Sequence, residues 1–116
     1  MMKILKNIDL ETVLNMAELV SYQPGQIVSR TLVQNKAVSM TLFAFDANEE
    51  ISSHESKGDA LVYILDGTAT VTIGGNVYSL GAGQTIVMPA GIPHAVEAPA
   101  PFKMLLVVVF PSEAQS

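Results

Sequence analysis

From residue 27 onward, short apolar-rich segments alternate with turn residues at close and even spacing. Thr68 to Ile73 alternates threonine with apolar residues, as a half-buried strand does, and Gly74-Gly75 then favours a two-residue hairpin. The pattern predicts eight or more strands, over residues 27–34, 38–45, 61–65, 68–73, 76–80, 84–88, 94–97 and 102–110. Short strands are unstable alone, so they must pack as two sheets or close into a barrel. The sequence therefore predicts an all-β sandwich or barrel.

One segment before these strands, residues 9–20, has helical spacing. Its apolar residues recur three and four positions apart: Leu10, Val13, Leu14 and Ala17. Asp9 is a candidate N-cap for this segment. Because the segment is short, it predicts only a turn or two of helix lying on the main body.

The chain length suits one domain. Its 116 residues can bury a core without disulfides, and they contain no repeat, low-complexity tract or linker. We therefore interpret residues 1–116 as a single domain, with an N-terminal extension over 1–24, a barrel over 25–111 and a polar tail over 112–116.

Charge and cysteine content exclude several classes of function. Six Lys and Arg stand against eleven Asp and Glu, giving a net charge of −5, which is unfavourable for binding nucleic acid or an anionic membrane. The absence of cysteine excludes disulfides, zinc–thiolate sites and thiol nucleophiles. The N-terminus lacks a signal-peptide cleavage pattern, and the longest apolar run, residues 104–110, is far short of a membrane span. We expect a cytoplasmic protein.

The last predicted strand, KMLLVVVF, is apolar on both faces. A strand with one wet face would alternate, so this one should be covered on both sides. Charged residues make up only 15 % of the chain, against roughly 25 % in a typical soluble domain. Both features favour a homodimer in which part of the surface is buried.

The two histidines, His54 and His94, both fall at turns between predicted strands. The stretch GQTIVMPAGIPH ends at His94 with the spacing Gly, five residues, Pro, one residue, Gly, two residues, His. Pro89 and Gly91 favour a sharp turn that delivers His94 to one end of the barrel, pointing inward. The stretch resembles the second cupin motif, although Ala98 stands where an Asn often ends it.

Residues 48–67 resemble the first cupin motif by their distances, with His54 at the first histidine position and Gly67 at the closing glycine. The resemblance covers about residues 25–111. It implies a double-stranded β-helix, the jelly-roll or cupin barrel, with the short helical turn at its N-terminus. It also implies that His54 and His94 meet inside the barrel.

A metal-binding cupin supplies two further ligands, a second histidine and a glutamate, at positions that are Ser56 and Ala60 here. With two of four ligands left, the resemblance implies at most weak binding of a divalent ion of Fe, Mn, Ni, Cu or Zn by His54 and His94. Asp59, next to the glutamate position, is a candidate third ligand. Turn chemistry after Gly58 is its alternative role.

Ligand-binding candidates besides His54, Ser56 and His94 lie on predicted strands. Met40, Met88 and Met104 could line the interior, and Tyr63 could offer a phenol, although packing explains each equally well. The first hypothesis is a barrel that binds a small metabolite near the two histidines. The alternatives are a metal-dependent enzyme of the dioxygenase, isomerase or decarboxylase type, and a dimeric scaffold with structural histidines. The fold alone does not decide between them.

Overall fold

The computed structural model describes residues 4–112. In these residues one 3₁₀ helix, Met16–Leu19, precedes nine strands. The strands are β1 (Ile27–Gln34), β2 (Val38–Phe45), β3 (Glu50–His54), β4 (Asp59–Asp66), β5 (Thr68–Ile73), β6 (Asn76–Gly81), β7 (Thr85–Met88), β8 (His94–Glu97) and β9 (Phe102–Val109). The predicted all-β fold is confirmed, and the strands expected over 27–34, 38–45, 68–73 and 94–97 have the predicted bounds.

The strands form two antiparallel sheets that face each other. One has the order β1-β2-β9-β4-β7 and the other the order β3-β8-β5-β6. Apart from the hairpins β1–β2 and β5–β6, consecutive strands cross from one sheet to the other, so the two sheets close into a barrel of the jelly-roll type. The loops after β3 and β7 and the end of β9 gather at one end, and the loops after β2, β4 and β8 at the opposite end.

The core lies between the sheets and follows the two-residue period of the strands. On β4, Ala60, Val62 and Ile64 are buried, whereas Leu61 and Tyr63 between them are exposed. At the end of the barrel where β4 finishes, the rings of Phe45 and Phe102 stack with centroids 4.5 Å apart and are fully buried. This closed end is filled by side chains.

The N-terminal segment packs against the outer face of the five-stranded sheet. Arg30 donates hydrogen bonds to the carbonyls of Asn7 (2.7 Å) and Leu19 (2.8 Å), and Lys103 donates one to the carbonyl of Ala17 (2.6 Å). Val20 is buried there together with outward residues of β1 and β2. The segment therefore covers the β1, β2 and β9 side of this face.

The expected N-terminal helix is confirmed only as one short turn, and Asp9 does not cap it. The turn begins after Asn15, whose side chain makes no capping hydrogen bond. Asn7 and Glu11 have left-handed φ angles of 60° and 53°, which a right-handed helix cannot contain. Glu11 therefore interrupts the predicted helical segment, and the 3₁₀ turn begins at Met16.

Strand β3 was not predicted, and it changes the setting of His54. Its sequence, EISSH, has one apolar residue, Ile51, so it lacks the apolar alternation that identifies a strand. His54 is therefore the last residue of a strand that pairs with β8, and His94 is the first residue of β8. Of the predicted polar tail, residues 113–116 lie outside the described residues.

The expectation that β9 is covered on both faces holds over part of its length. Phe102 and Met104 point into the barrel and are buried, and Leu105 packs beneath the N-terminal segment. Val109 is 55 % exposed, because the N-terminal segment does not extend over that end of the strand. Within residues 4–112, no helix has the length and apolar character needed to cross a membrane.

Candidate functional site

The end of the barrel opposite the stacked phenylalanines contains a cavity of about 220 Å³. Most of its walls are apolar side chains from both sheets: Ile51, Met88, Val96, Met104, Leu106 and Val108. The polar groups at its walls and rim come from His54, His94, Ser56 and Glu55. Apolar walls with a few convergent polar groups are typical of a small-molecule site.

His94 reaches this cavity by way of the turn after β7. Gly91 in this turn has a φ of 76°, a conformation that costs glycine little. Its N–H donates to the carbonyl of Ser56 at 2.9 Å, which ties the turn to the loop after β3. His94 then begins β8 with only 2 % of its surface exposed. This burial agrees with the expectation that His94 points into the barrel.

His54 lies directly opposite His94 across the β3–β8 pair. The two ring centroids are 4.4 Å apart and the ring planes are inclined by 68°. His94 is buried, whereas His54 is exposed at the mouth of the cavity. The structure thus brings the two histidines together, one in the wall and one at the rim.

Both imidazoles are oriented by a backbone carbonyl two residues earlier. Nδ1 of His54 lies 3.0 Å from the carbonyl oxygen of Ser52, and Nδ1 of His94 lies 3.2 Å from that of Ile92. A carbonyl oxygen only accepts hydrogen bonds, so we assign the proton of each neutral ring to Nδ1. Each Nε2 then carries an unshared lone pair that can accept a hydrogen bond or bind a metal.

Electrostatics favour the neutral form of His94. Burial lowers the pKa of His94 below its ordinary value, and the nearby His54 lowers it further, while the hydrogen bond to the Ile92 carbonyl acts in the opposite direction. Near neutral pH this ring is therefore an acceptor or a ligand rather than a cation.

The two positions at which a cupin would carry further metal ligands lie at the same cavity. The Ser56 hydroxyl oxygen accepts a hydrogen bond from the Gly58 N–H at 3.1 Å and keeps its own proton to donate. Ala60 is 2 % exposed and points into the cavity from β4, between Met88 and Val108 of the neighbouring strands. This wall therefore presents a methyl group where a carboxylate would stand.

The sequence matches the Cupin domain family over residues 41–110. The chain belongs to this family. A conserved protein of unknown function from Streptococcus pyogenes is 48 % identical, with a TM-score of 0.94 over 96 % of this chain and 97 % of its own. A cupin superfamily protein from Desulfitobacterium hafniense is 33 % identical, with a TM-score of 0.88 over 92 % of this chain and 98 % of its own. A cupin 2 conserved barrel domain protein from Leptotrichia buccalis is 43 % identical, with a TM-score of 0.81 over 83 % of this chain and 47 % of its own.

The donor set of this cupin does not fit the divalent metal that the fold often holds. Within residues 4–112, no group of three or more His, Asp or Glu side chains is placed to share an ion. Two neutral imidazoles alone hold a divalent ion weakly, since stable catalytic sites use three or more protein ligands. No step of any reaction is assigned to a divalent metal at this site.

Asp59, the candidate third ligand, is not brought to the histidines. One residue before Ala60, it lies on the opposite face of β4, and its Oδ1 accepts a hydrogen bond from the Ala90 N–H at 2.8 Å. It borders a separate outer depression with Lys57 and Phe110. Its position agrees with the alternative role of stabilising a turn. Among residues 4–112, a metal triad of His54, His94 and Asp59 is not formed.

The structure divides the other candidates between the inside and the outside of the barrel. Met88 and Met104 are buried and line the cavity, as expected. Met40 instead packs with the outer cluster under the N-terminal segment, and Tyr63 is 39 % exposed on the outer face. Both expectations are wrong because alternation places their side chains on the other face of the sheet.

Sequence reasoning missed the apolar wall of the cavity. Leu106 and Val108 follow Met104 at two-residue steps on β9, so the strand period alone identifies them once Met104 is assigned to the interior. Ile51 lies on the strand that was not predicted. Its only signal is that it stands three residues before His54.

Proposed function

We propose that this cupin binds a small molecule in the open end of its barrel, with Nε2 of His54 and of His94 as hydrogen-bond acceptors. One observation carries the proposal. Two imidazoles 4.4 Å apart have their Nδ1 atoms next to backbone carbonyls, so their Nε2 lone pairs stay free beside an otherwise largely apolar cavity.

The lining limits the class of ligand. Among residues 4–112, no Lys or Arg lines the cavity and Glu55 is the charged residue at its rim, so no described cationic side chain there neutralises a strongly anionic ligand. The imidazole acceptors match a hydroxyl, amide or amine proton. The proposal therefore favours a small, mainly apolar molecule that carries one or two hydrogen-bond donors.

The enzyme and scaffold alternatives predict different behaviour. A divalent metalloenzyme needs a third protein donor, which the described residues do not place at the histidines. A scaffold with structural histidines would lose stability equally in His54→Ala and His94→Ala. The unequal exposure of the two rings instead favours a larger loss of stability for His94→Ala.

Binding of organic probes tests the proposal. Native mass spectrometry and ligand-observed NMR would screen small phenols, aliphatic alcohols and primary amides against the wild-type protein, His54→Ala, His94→Ala and the outer-face control Tyr63→Phe. We expect probes that bind the wild type and Tyr63→Phe, with affinity reduced roughly tenfold by loss of either imidazole, about the effect of one hydrogen bond. Binding that both histidine variants retain would overturn the proposal.

We also propose that a second copy of the chain covers the outer face of the five-stranded sheet beyond the N-terminal segment. Val107, Leu61 and Val87 form a row across β9, β4 and β7, and Tyr63 borders it. Leu61 and Val87 are 37 % and 46 % exposed. A flat apolar row on a chain with few charges is suited to pairing with its own copy.

Sedimentation tests the dimer. The wild type should sediment at about twice the 12.4 kDa chain mass, and Leu61→Lys should sediment as a monomer that keeps its far-ultraviolet circular dichroism. A wild-type monomer at micromolar concentration would contradict the proposal. The expected cytoplasmic location stays a prediction from the sequence.

A further inference from the structure

The cavity that holds the histidines also contains thioether sulfur. Met88 ends β7 and is 2 % exposed, and residues 89–93 lead directly from it to His94. It is paired with Ala60, so it stands next to the position that lacks a carboxylate. Met88 therefore lies at the same level of the barrel as the histidines.

Met104 lines the same cavity at a deeper level. It is paired with Ile64 of β4, four residues beyond Ala60 toward the closed end. At about 3.3 Å per residue this places the backbone of Met104 roughly 13 Å further along the strand. Met104 thus belongs to the floor, whereas Met88 belongs to the histidine level.

Apart from Glu55 at the rim, the donors of this level are neutral ligand types: two imidazole Nε2 atoms with free lone pairs, the Met88 thioether and the Ser56 hydroxyl. Ala60 adds nothing that could bind an ion, and among residues 4–112 Glu55 forms no group of three with the two histidines. Thioether sulfur is a soft ligand that selects monovalent copper, and imidazole binds it as well. The set that fits a divalent ion poorly therefore suits a soft monovalent ion.

The charge of the ion points the same way. A doubly charged ion held by neutral ligands would leave two charges beside largely apolar walls, which is costly. A singly charged ion leaves only one charge there, and the carboxylate of Glu55 at the rim can balance it. His54, exposed at the mouth, gives such an ion a first ligand on its way in.

We propose that His54, His94 and Met88 form a three-coordinate site for copper(I). Rings whose centroids are 4.4 Å apart are close enough for both Nε2 atoms to reach one ion at the ~2.0 Å of a metal–imidazole bond. The site uses the cavity of the proposed small-molecule function but does not depend on an organic ligand. Met88 is also part of the buried core, and the site would give its sulfur a second role as a ligand.

Competition with a chromophoric copper(I) chelator under anaerobic conditions tests this site, with zinc(II) and nickel(II) measured in parallel by equilibrium dialysis. The wild type should hold one copper(I) per chain more tightly than either divalent ion. Met88→Leu should weaken copper(I) binding roughly tenfold or more without changing zinc(II) binding. X-ray absorption should show a copper–sulfur shell that Met88→Leu removes.

Two methionine variants serve as matched controls. Met104→Leu changes the floor of the same cavity, and Met40→Leu changes a methionine outside the barrel. Leucine nearly preserves the volume of methionine, so all three variants should fold, and melting temperatures verify this. Both controls should bind copper(I) like the wild type.

Failure to compete for copper(I), wild-type affinity in Met88→Leu, or an equal loss in all three methionine variants would each overturn the site. The organic probes separate this outcome from a failure of the proposed function. Probes that still bind in a histidine-dependent manner would leave the small-molecule function intact while the copper site fails. If copper(I) still binds but no probe binds in a histidine-dependent manner, the small-molecule function fails and the copper site stands.

Discussion

The two ends of the barrel are built from the same strands but are filled differently. At the closed end Phe45 and Phe102 stack and are fully buried. At the open end the inward positions of those sheets carry Ala60 and two histidines around a cavity of about 220 Å³. Large side chains stabilise one end, which leaves the other free to bind. Mutations at the closed end should therefore have the larger effect on stability, and mutations at the open end should in addition change binding.

The largest expected effect on stability is at the closed end. Phe102→Ala removes a fully buried ring that stacks on Phe45, and it should lower the free energy of unfolding by about 3–5 kcal/mol. Urea denaturation measures the change. Val77→Ala, on a residue that is 68 % exposed, is the control and should cost far less. A loss under about 1 kcal/mol for Phe102→Ala would mean that this end is not tightly packed.

Two glycines with nearly equal φ angles sharpen the comparison. Gly67 at the closed end has a φ of 75°, and Gly91 at the open end has a φ of 76°. A Cβ on Gly67 would lie 2.2 Å from the Pro101 carbonyl oxygen, whereas a Cβ on Gly91 would have no neighbour within 4 Å among the described residues. Gly91→Ala should therefore cost only the ~1–2 kcal/mol of the left-handed backbone, and Gly67→Ala clearly more. Thermal unfolding measures both variants, and an equal loss of stability in Gly67→Ala and Gly91→Ala would contradict the difference in packing between the two ends.

A single carboxylate should convert the open end into a divalent metal site. Ala60→Glu places a carboxylate at the cavity beside His54 and His94, so zinc(II) or nickel(II) affinity should rise roughly tenfold or more. Equilibrium dialysis measures it. Leu61→Glu places a carboxylate one residue later, on the outer face, and it should leave zinc(II) affinity unchanged. An equal rise in both variants would show that the carboxylate acts without the histidines.

The smallest effect is the pH dependence that His94 contributes. Because burial lowers its pKa in the folded protein, the unfolded chain binds more protons once the pH falls below about 6.5. The stabilising contribution of neutral His94 is therefore complete above that pH and is lost as the pH falls toward the lowered pKa. Denaturation curves at several pH values should show this decline, and His94→Gln should remove it while Tyr63→Phe keeps it. A decline that persists unchanged in His94→Gln would assign it to another group.

The fold was predictable where local signals agreed with the final packing. The alternation in Thr68–Ile73 and the Gly74-Gly75 turn identify a hairpin that forms as expected. The strand Glu50–His54 was not predicted, because a strand with one apolar residue shows no alternation in the sequence. It forms by pairing with β8, a contact between segments about 40 residues apart that no local pattern indicates. The 3₁₀ turn begins only at Met16, and the left-handed backbone of Asn7 and Glu11 before it has no signal in the apolar spacing.

The sequence identified the two histidines of the site but only some of the residues that form its walls. The motif spacing located His54 and His94 because their distances from turn residues fix where each strand end lies. Met40 and Tyr63 were misassigned because residue type does not reveal which face of a strand a side chain occupies. Asp59 illustrates the same limit, since one step along β4 separates it from the cavity.

The ¹⁵N NMR signals of the two imidazoles, measured near pH 8, would test the central claim most directly. The claim is that His54 and His94 present unprotonated Nε2 atoms to the open end, because their Nδ1 atoms donate to the Ser52 and Ile92 carbonyls. The account predicts that both rings are Nδ1–H tautomers and that both Nε2 signals shift when a bound probe is added. An Nε2–H tautomer in either ring, or Nε2 signals that a bound probe leaves unmoved, would contradict it.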